Sequence, residues 1–295
     1  MSLPLWKQLL LSVYYQATLP VRWYRGRRAF ADQRVPVVVL FYHRIADDRA
    51  TPWTVSNRMF ARQVDWLRRR FDLVSLEEAQ RIVRRGRNQR PTVSITFDDG
   101  YAENCHAAIP LLIKERIPCT YFVTLRNVLD GEPFAHDRAL GHAFPPNTPE
   151  EIRAMAEAGV EIGGHTYTHR DLGSVDDERT LHYELVAAGE ELQQMAGRPI
   201  RYFAFPFGQY ANLNSRAFEM AAWGGYEGVC SAYGGFNFPG DDAFHLQRIP
   251  VDDDMIRLKN WATIDPRKLD TPRFTYGETG DVRLPLLHAS GKPGR

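Results

Sequence analysis

Short apolar runs alternate with amphipathic segments along most of the chain from residue 36 onward. Runs such as "VPVVVLFYH", "TVSITF" and "CTYFVT" are rich in β-branched and aromatic residues, which is typical of buried strands. Between them, "RMFARQVDWLRRR", "CHAAIPLLIKERI" and "TPEEIRAMAEAG" place apolar residues close to the 3.6-residue period of a helix. Repeated alternation of strand and helix predicts parallel strands with right-handed crossovers, in an open α/β sheet or a barrel.

One helix has predictable ends. In "SLEEAQRIVRRG", Ser75 precedes the apolar pattern and Glu78 follows three residues later, which is the pattern of a capping box. Gly86 closes the segment, as glycine often does after the last helical turn. We therefore predict a helix between Ser75 and Gly86.

The first 34 residues differ from the rest of the chain. "LPLWKQLLLSVYYQATLPV" is apolar, but Lys7 and Gln8 interrupt it and we expect Pro20 to end any helix, which argues against a membrane span. Aromatic residues and the basic "RWYRGRR" suit a helix lying in a lipid interface, through residues 1–30. The alternative is a helix packed on the domain or on a partner subunit. No clear signal cleavage site is visible, so we expect a cytoplasmic protein or a peripheral one at the inner membrane face.

Length and composition refine this picture. We expect an N-terminal extension over residues 1–34, a catalytic domain over 35–260 and a tail over 261–295, in a chain of 295 residues. The net charge of +1 gives no strong field that would gather nucleic acid. No glycine-rich phosphate loop follows a predicted strand, which disfavours a nucleotide cofactor. The oligomeric state is left open.

Unusual polar residues cluster where predicted strands end. In α/β folds the functional groups lie at the carboxyl ends of the parallel strands, so these residues are expected at one rim. The polar residues are His43, Asp98, Asp99, His165 and His169, and Pro206 and Gly208 end a further predicted strand. Two adjacent like charges such as Asp98 and Asp99 repel each other, which indicates either a bound cation or an exposed turn. Two histidines four residues apart, together with one carboxylate, match a metal site that keeps positions open for water and substrate.

Three motifs carry a family resemblance. "TFDDGY", "HTYTH" and "FPFG", in this order, resemble the motifs of the polysaccharide deacetylases of carbohydrate esterase family 4, the NodB-homology domain. "LFYHRI" and "LQRIPVD" are similar to the branch that contains bacterial exopolysaccharide N-deacetylases. The resemblance covers residues 36 to 255. It implies a distorted (β/α) barrel of about seven parallel strands, a divalent metal, and hydrolysis of an N-acetyl group on an amino sugar of a glycan.

The resemblance also implies roles for individual residues. Asp98 would be the general base that takes a proton from a metal-bound water, and zinc, with cobalt or nickel as alternatives, would be the metal. The implied metal ligands are Asp99, His165 and His169. The implied substrate-binding residues are Tyr101, Pro206, Phe207 and Gly208, with the Tyr101 N–H as a contact for the developing oxyanion.

The chain departs from the family pattern at two places. Ala204 stands where the third motif usually has an arginine that steadies the base, and Arg201 lies three residues too early. Arg248 is the candidate replacement, against the alternative of a surface or structural ion pair. For the general acid we favour His43, with His245 and with His288 of a Leu-x-His pattern as alternatives.

Other features leave the substrate open. His136 and His142 flank an insertion that we expect to be a mobile connecting loop, with one wall of a substrate groove as the alternative. The favoured function is N-deacetylation of a bacterial polysaccharide or exopolysaccharide. The alternatives are deacetylation or deformylation of a lipid-linked amino sugar at a membrane face, and a non-catalytic glycan-binding module.

Overall fold

The strands of the computed structural model, which describes residues 3–277, are short and mostly buried. In chain order, β1 to β11 are Val37–Tyr42, Arg44–Ile45, Thr54–Val55, Asp72–Leu73, Thr92–Phe97, Cys119–Val123, Glu161–Gly164, Tyr202–Ala204, Gly228–Cys230, His245–Leu246 and Arg248–Pro250. The helices α1 to α11 are Leu5–Ala31, Asn57–Arg68, Leu76–Arg85, Ala108–Lys114, Leu125–Asp130, Ala135–Ala139, Pro149–Glu157, Glu178–Leu181, Ala188–Ala196, Ser215–Trp223 and Met255–Ala262.

A parallel sheet forms the core of the fold. Its strands follow the order β10-β9-β8-β7-β6-β5-β1-β11, with β4 pairing on β5 beside this path. The two strands at the ends of the path are separated along the chain by Gln247 alone. Segment 245–250 therefore pairs with β9 through its first half and with β1 through its second half, which brings the sheet round into a barrel. Counting this segment as one strand gives seven parallel strands along the closed path, with the short β4 beside them, and the predicted distorted (β/α) barrel is confirmed.

The N-terminal end of the barrel is covered by α3. Its Gln80 side chain donates to the backbone carbonyls of Glu227 and Ala243, which precede β9 and β10, and accepts from the Tyr202 hydroxyl at the start of β8. The predicted ends of this helix are confirmed, because the Ser75 side chain accepts from the Glu78 N–H and Gly86 adopts a left-handed φ of 74°. Because α3 covers this end of the barrel, the opposite end, where the strands finish, is the end open to a functional site.

Helix α1 corrects one sequence prediction. We expected Pro20 to end any helix, but α1 continues through it from residue 5 to residue 31. A proline inside a helix costs roughly 3 kcal/mol, since it removes a hydrogen bond and clashes with the preceding turn. Contacts on both sides of Pro20 offset that cost: the Tyr14 hydroxyl donates to Asp265 at 2.8 Å, and the buried Arg22 guanidinium donates to Asn260 and to Thr263. Tertiary contacts thus override the local preference.

We predict that Arg22→Met releases α1 from the barrel. The substitution removes charged hydrogen bonds to Asn260 and Thr263, and we expect the free energy of detaching the helix to fall by about 3 kcal/mol. Limited proteolysis should then cleave within residues 5–31 about 100-fold faster, while the barrel resists. Arg28→Met is the control, because Arg28 lies on the same helix with an exposed side chain. Equal cleavage rates for the two variants would contradict this role of Arg22.

Candidate active site

A small cavity opens at the C-terminal edge of the barrel strands, where the sequence-predicted residues meet. Its volume is about 180 Å³. The residues around it are Phe41, His43, Trp53, Asp98, Asp99, His136, His165, His169, Phe205, Phe207 and Ala232. The prediction that several strand ends contribute to one rim therefore agrees with the geometry of this cavity.

The two adjacent aspartates face this cavity from a turn. The Asp98 N–H still donates to the Tyr42 carbonyl at 2.9 Å, in continuation of the strand pairing. Asp99 then adopts φ 74° and Gly100 adopts φ 109°, both in the left-handed region. That region is uncommon for a residue other than glycine and marks a conformation that its surroundings enforce. The turn reverses the alternation of an extended strand, so both carboxylates reach the same space.

Asp99 forms a compact group with two histidines. The Asp99 Oδ1 atom lies 3.4 Å from His165 Nε2 and 3.1 Å from His169 Nε2. One candidate ligand atom from each of the three residues lies within 4.8 Å of the others. Although burial raises it, the pKa of the Asp99 carboxyl is held well below its usual range by the His165 and His169 imidazoles. The carboxylate is therefore ionised at neutral pH.

Two details make this group suitable for a divalent metal. The His165 Nδ1 donates to the Ala204 carbonyl at 2.7 Å, so the lone pair of its Nε2 is directed towards the cavity. Asp99 Oδ1 is buried and accepts no hydrogen bond from the described residues, which leaves a carboxylate oxygen for a cation. Two imidazoles and one carboxylate are a common ligand set for zinc and leave coordination positions open.

The loop that carries His169 is held by a residue that the sequence did not reveal. Both Thr168 donors bond to the Glu184 carboxylate, the N–H at 2.9 Å and the hydroxyl at 2.7 Å. Glu184 is buried and lies in a π-helical segment, His182–Ala187, between α8 and α9. Such segments are often found at functional sites. A lone glutamate on an amphipathic helix gives no sequence signal for this supporting role.

Arg248 lies directly on Asp98. Its two terminal nitrogens contact the two Asp98 carboxylate oxygens at 2.6 and 2.8 Å, a forked pair that is fully buried. Its Nε donates to the Ser231 carbonyl at 3.1 Å, and its NH1 also contacts the Thr96 hydroxyl. Although burial opposes the charge, Asp98 raises the pKa of Arg248. The Arg248 guanidinium therefore keeps its charge in the buried pair.

Arg201 has a different position. It bonds to Glu77 and Glu161 at 3.0 and 2.5 Å, near the start of β8 and thus at the other end of the barrel. At the motif position itself, Ala204 contributes its backbone carbonyl to His165. The guanidinium that pairs with Asp98 consequently comes from the last barrel strand.

The third motif shapes the rim through its backbone. Phe207 is half exposed with φ 60°, and its ring centroid lies 5.1 Å from that of His169. Gly208 has φ 56°, and a Cβ at this position would lie only 2.7 Å from the Ala232 backbone nitrogen. Pro206 is buried, and its carbonyl accepts from the Gly208 N–H. Phe207 is therefore the motif residue whose side chain is available to a ligand.

Tyr101 corrects another expectation. We expected its ring among the substrate-binding groups, but the side chain is fully buried between Phe134 and Phe144. Its hydroxyl contacts His136 Nε2 at 2.8 Å and donates to Asp137 at 2.7 Å. The ring therefore supports the cavity wall and offers no face to a sugar.

The insertion after β6 corrects an expectation: we expected a mobile loop, but the insertion supplies a cavity residue. His136, on α6, lies 3.8 Å from Asp99 through Nε2 and packs against Trp53 and Phe134. The indole N–H of Trp53 donates to Asp137, whose carboxylate is buried. Burial lowers the pKa of His136. The insertion thus forms one wall of the cavity, whereas His142 is not among the cavity residues.

The remaining candidate histidines have different surroundings. His43 lines the cavity, and burial lowers the pKa of its imidazole. His245 is buried away from the cavity, with its Nε2 2.8 Å from the Ser231 hydroxyl. His288 lies outside the described residues. Of the three candidates for the general acid, the structure therefore places His43 at the cavity.

His245 leads to a prediction about stability and pH. Burial lowers its pKa to about 3, whereas the imidazole of the unfolded chain titrates near 6.5. Below pH 6.5 the unfolded state therefore binds a proton that the folded state does not, and stability falls as the pH falls towards 3. Between pH 7 and pH 5 this single group should cost about 2 kcal/mol. We expect His245→Gln to flatten denaturant-derived stability over that interval, and an unchanged slope would contradict the prediction.

Comparison with known proteins agrees with the motifs. A family model described as polysaccharide deacetylase matches residues 85–227. The peptidoglycan-N-acetylmuramic acid deacetylase PdaA of Bacillus subtilis is 29% identical over 123 residues, which are 41% of this chain and 40% of that protein. A chitooligosaccharide deacetylase of Bradyrhizobium sp. is 29% identical over 119 residues, or 40% of this chain and 46% of that one. The alignments thus span less than half the length of these two relatives.

The fold also matches a solved structure. The structure of IcaB from Ammonifex degensii has a TM-score of 0.62 and 27% sequence identity, and the match covers 78% of this chain and 98% of that one. The structural match therefore extends over most of the barrel, beyond the segment that the family model matches.

Proposed function

We propose that this chain, as a member of the polysaccharide deacetylase family, is a metal-dependent hydrolase that removes N-acetyl groups from N-acetylhexosamine units of a bacterial polysaccharide or exopolysaccharide. One observation carries the proposal. The Asp98 carboxylate, which is held by the buried Arg248, lines the same small cavity as Asp99, His165 and His169. A positioned base next to a metal site is the arrangement that metal-assisted amide hydrolysis uses.

The proposed ligands of the metal are Asp99, His165 and His169, and zinc suits them best, with cobalt or nickel as alternatives. When bound, such an ion supplies Lewis acidity, which lowers the pKa of water and polarises an amide oxygen. The chain has to contribute orientation and proton transfer. The Ala204 carbonyl orients His165, and Glu184 orients the loop of His169 through Thr168.

Asp98 is the proposed general base. It accepts a proton from the attacking water as the carbon–oxygen bond forms. Arg248 holds both carboxylate oxygens, so the position of Asp98 does not depend on the substrate. When the carbon–nitrogen bond breaks, the nitrogen must take up a proton to leave as an amine. His43, in its protonated form, is the proposed donor, since it lines the same cavity. Transfer of the proton from Asp98 back to His43 then restores both groups for the next turnover.

A polymeric substrate is favoured by the surface next to the cavity. A second concavity of about 540 Å³ shares His136, His169 and Phe207 with it. Phe207 is exposed by 52%, which leaves an aromatic face free to contact a sugar ring. A glycan can therefore extend along the surface while a single N-acetyl group enters the cavity.

The metal site and the general base are tested together by replacing the two neighbouring aspartates one at a time. We expect acetate release from N-acetylglucosamine oligomers to stop after chelation and to return with zinc. Asp98→Asn should lower turnover by about 10²–10⁴-fold while the protein keeps one metal per chain, because Asp98 is assigned to proton transfer. Asp99→Asn should lose the metal itself, measured by elemental analysis.

The outcomes separate the parts of this proposal. If Asp98→Asn loses the metal and Asp99→Asn keeps it, the assignments of the two carboxylates are wrong. If the wild type binds metal but releases acetate from no oligomer, the site stands and the proposed substrate is wrong.

The proton donor is tested by changing the leaving group. His43→Asn should impair hydrolysis of N-acetylated oligomers far more than hydrolysis of 4-nitrophenyl acetate, since nitrophenolate leaves without being protonated. His136→Asn is the matched control, because His136 lines the same cavity. It should impair both substrates to a similar extent. A selective defect in His136→Asn, and none in His43→Asn, would move the donor role to His136.

A further inference from the structure

Helix α1 exposes an unusual amount of apolar surface. Ten of the seventeen large hydrophobic side chains that the structure shows as exposed within residues 3–277 lie on this one helix. They are Leu5, Trp6, Leu9, Leu10, Val13, Leu19, Val21, Trp23, Tyr24 and Phe30. Single exposed hydrophobic residues are ordinary, but a contiguous group marks an interaction surface.

These side chains are arranged by the helical period. Arg22 points into the protein, where it bonds to Asn260 and Thr263. At 100° per residue, Trp6, Val13 and Tyr24 lie close to the opposite side of the helix, and Leu9 and Leu10 flank them. The result is an apolar outward stripe along most of the helix length. The polar contacts of α1 are thus turned towards the barrel, and its apolar side faces away from it.

The charge of α1 indicates what covers the stripe. The helix contains Lys7, Arg22, Arg25, Arg27 and Arg28 and no acidic residue, although the whole chain has a net charge of only +1. Of these, only Arg22 is buried. The guanidinium of Arg27 lies over the Trp23 ring, 4.4 Å from its centroid. An apolar stripe with aromatic rings and exposed cations beside it matches the interface of a bilayer with anionic headgroups.

We propose that α1 docks the protein on an anionic lipid bilayer, lying in the plane of the interface with its outward stripe among the upper acyl chains. Within residues 3–277, no helix is long and apolar enough to cross a bilayer. The proposal concerns attachment and does not depend on the hydrolytic activity.

The C-terminal half of the docking helix and the catalytic cavity lie at opposite edges of the barrel. The C-terminal half of α1 borders a groove of about 620 Å³ with Pro36, Val38 and Pro91, at the N-terminal ends of β1 and β5. Asp98 follows the C-terminal end of β5, and a six-residue strand spans roughly 20 Å. A protein attached through α1 therefore keeps its cavity off the bilayer. This arrangement favours a glycan in water over a lipid-linked sugar held at the headgroups.

The test uses the full chain with phosphatidylcholine vesicles, with and without phosphatidylglycerol. We expect co-sedimentation with the anionic vesicles and much weaker binding to the neutral ones. Trp6→Ser combined with Leu10→Ser should weaken binding at least tenfold, since two large apolar groups no longer enter the lipid. Trp223→Ser is the matched control: it removes a 68% exposed tryptophan on α10 and should leave binding unchanged.

Charge is tested separately. Arg25→Gln combined with Arg28→Gln should weaken binding to anionic vesicles by about fivefold per residue, whereas Arg153→Gln, on the exposed surface of α7, should not. Vesicles should leave turnover of a soluble oligomer unchanged. The proposal is overturned if the wild type binds neither kind of vesicle, or if the Trp223 control loses as much binding as the α1 variants. It is also overturned if Leu10→Ser dissociates a dimer that forms without lipid, because a second copy would then be the occupant.

Discussion

The buried pair of Arg248 and Asp98 is the interaction on which the site depends. Arg248 belongs to the segment that closes the barrel, while Asp98 follows a strand on the other side of β1. Moving two charged groups from water into the protein interior costs free energy, which is offset only if the two groups bond to each other with good geometry. Because the forked contact exists only when segment 245–250 pairs with β1, closure of the barrel and placement of the proposed base are the same structural event.

Backbone strain supports the second half of the site. Asp99, Thr166 and His169 all have φ near +60° to +75°, where residues other than glycine are uncommon. Such conformations persist only when the surrounding structure enforces them. Here Thr124 donates to the Asp99 carbonyl, and Glu184 holds the histidine loop through Thr168. The geometry of the proposed metal ligands is therefore built into the folded chain, which would lower the entropic cost of binding an ion.

The two ends of the barrel differ in their surroundings. The N-terminal end is covered by α3 and bordered by α1, with Gln80 and Arg22 making the connecting hydrogen bonds. The C-terminal end is left for the cavity, whose walls come from short loops and from the insertion that carries His136. A parallel barrel permits this division, because all strands end at the same edge and the loops there can vary without disturbing the core.

The sequence by itself determined the strand and helix alternation, the ends of α3 and the residues gathered at the rim. These follow from local periodicity, capping chemistry and the rule that parallel strands end at one edge. Periodicity left an open sheet and a barrel as alternatives, and the barrel was implied only by the family resemblance of the motifs. The sequence named Arg248 as the candidate partner of Asp98, but only the tertiary structure decided between this pairing, across 150 positions, and a surface or structural ion pair. The tertiary structure also decided that Pro20 lies within a continuous helix and that the Tyr101 ring is buried. It also placed His136 and Glu184 at the site. The physical reason is the same in each case: these outcomes are set by contacts between segments far apart along the chain, and local preferences contain no information about them.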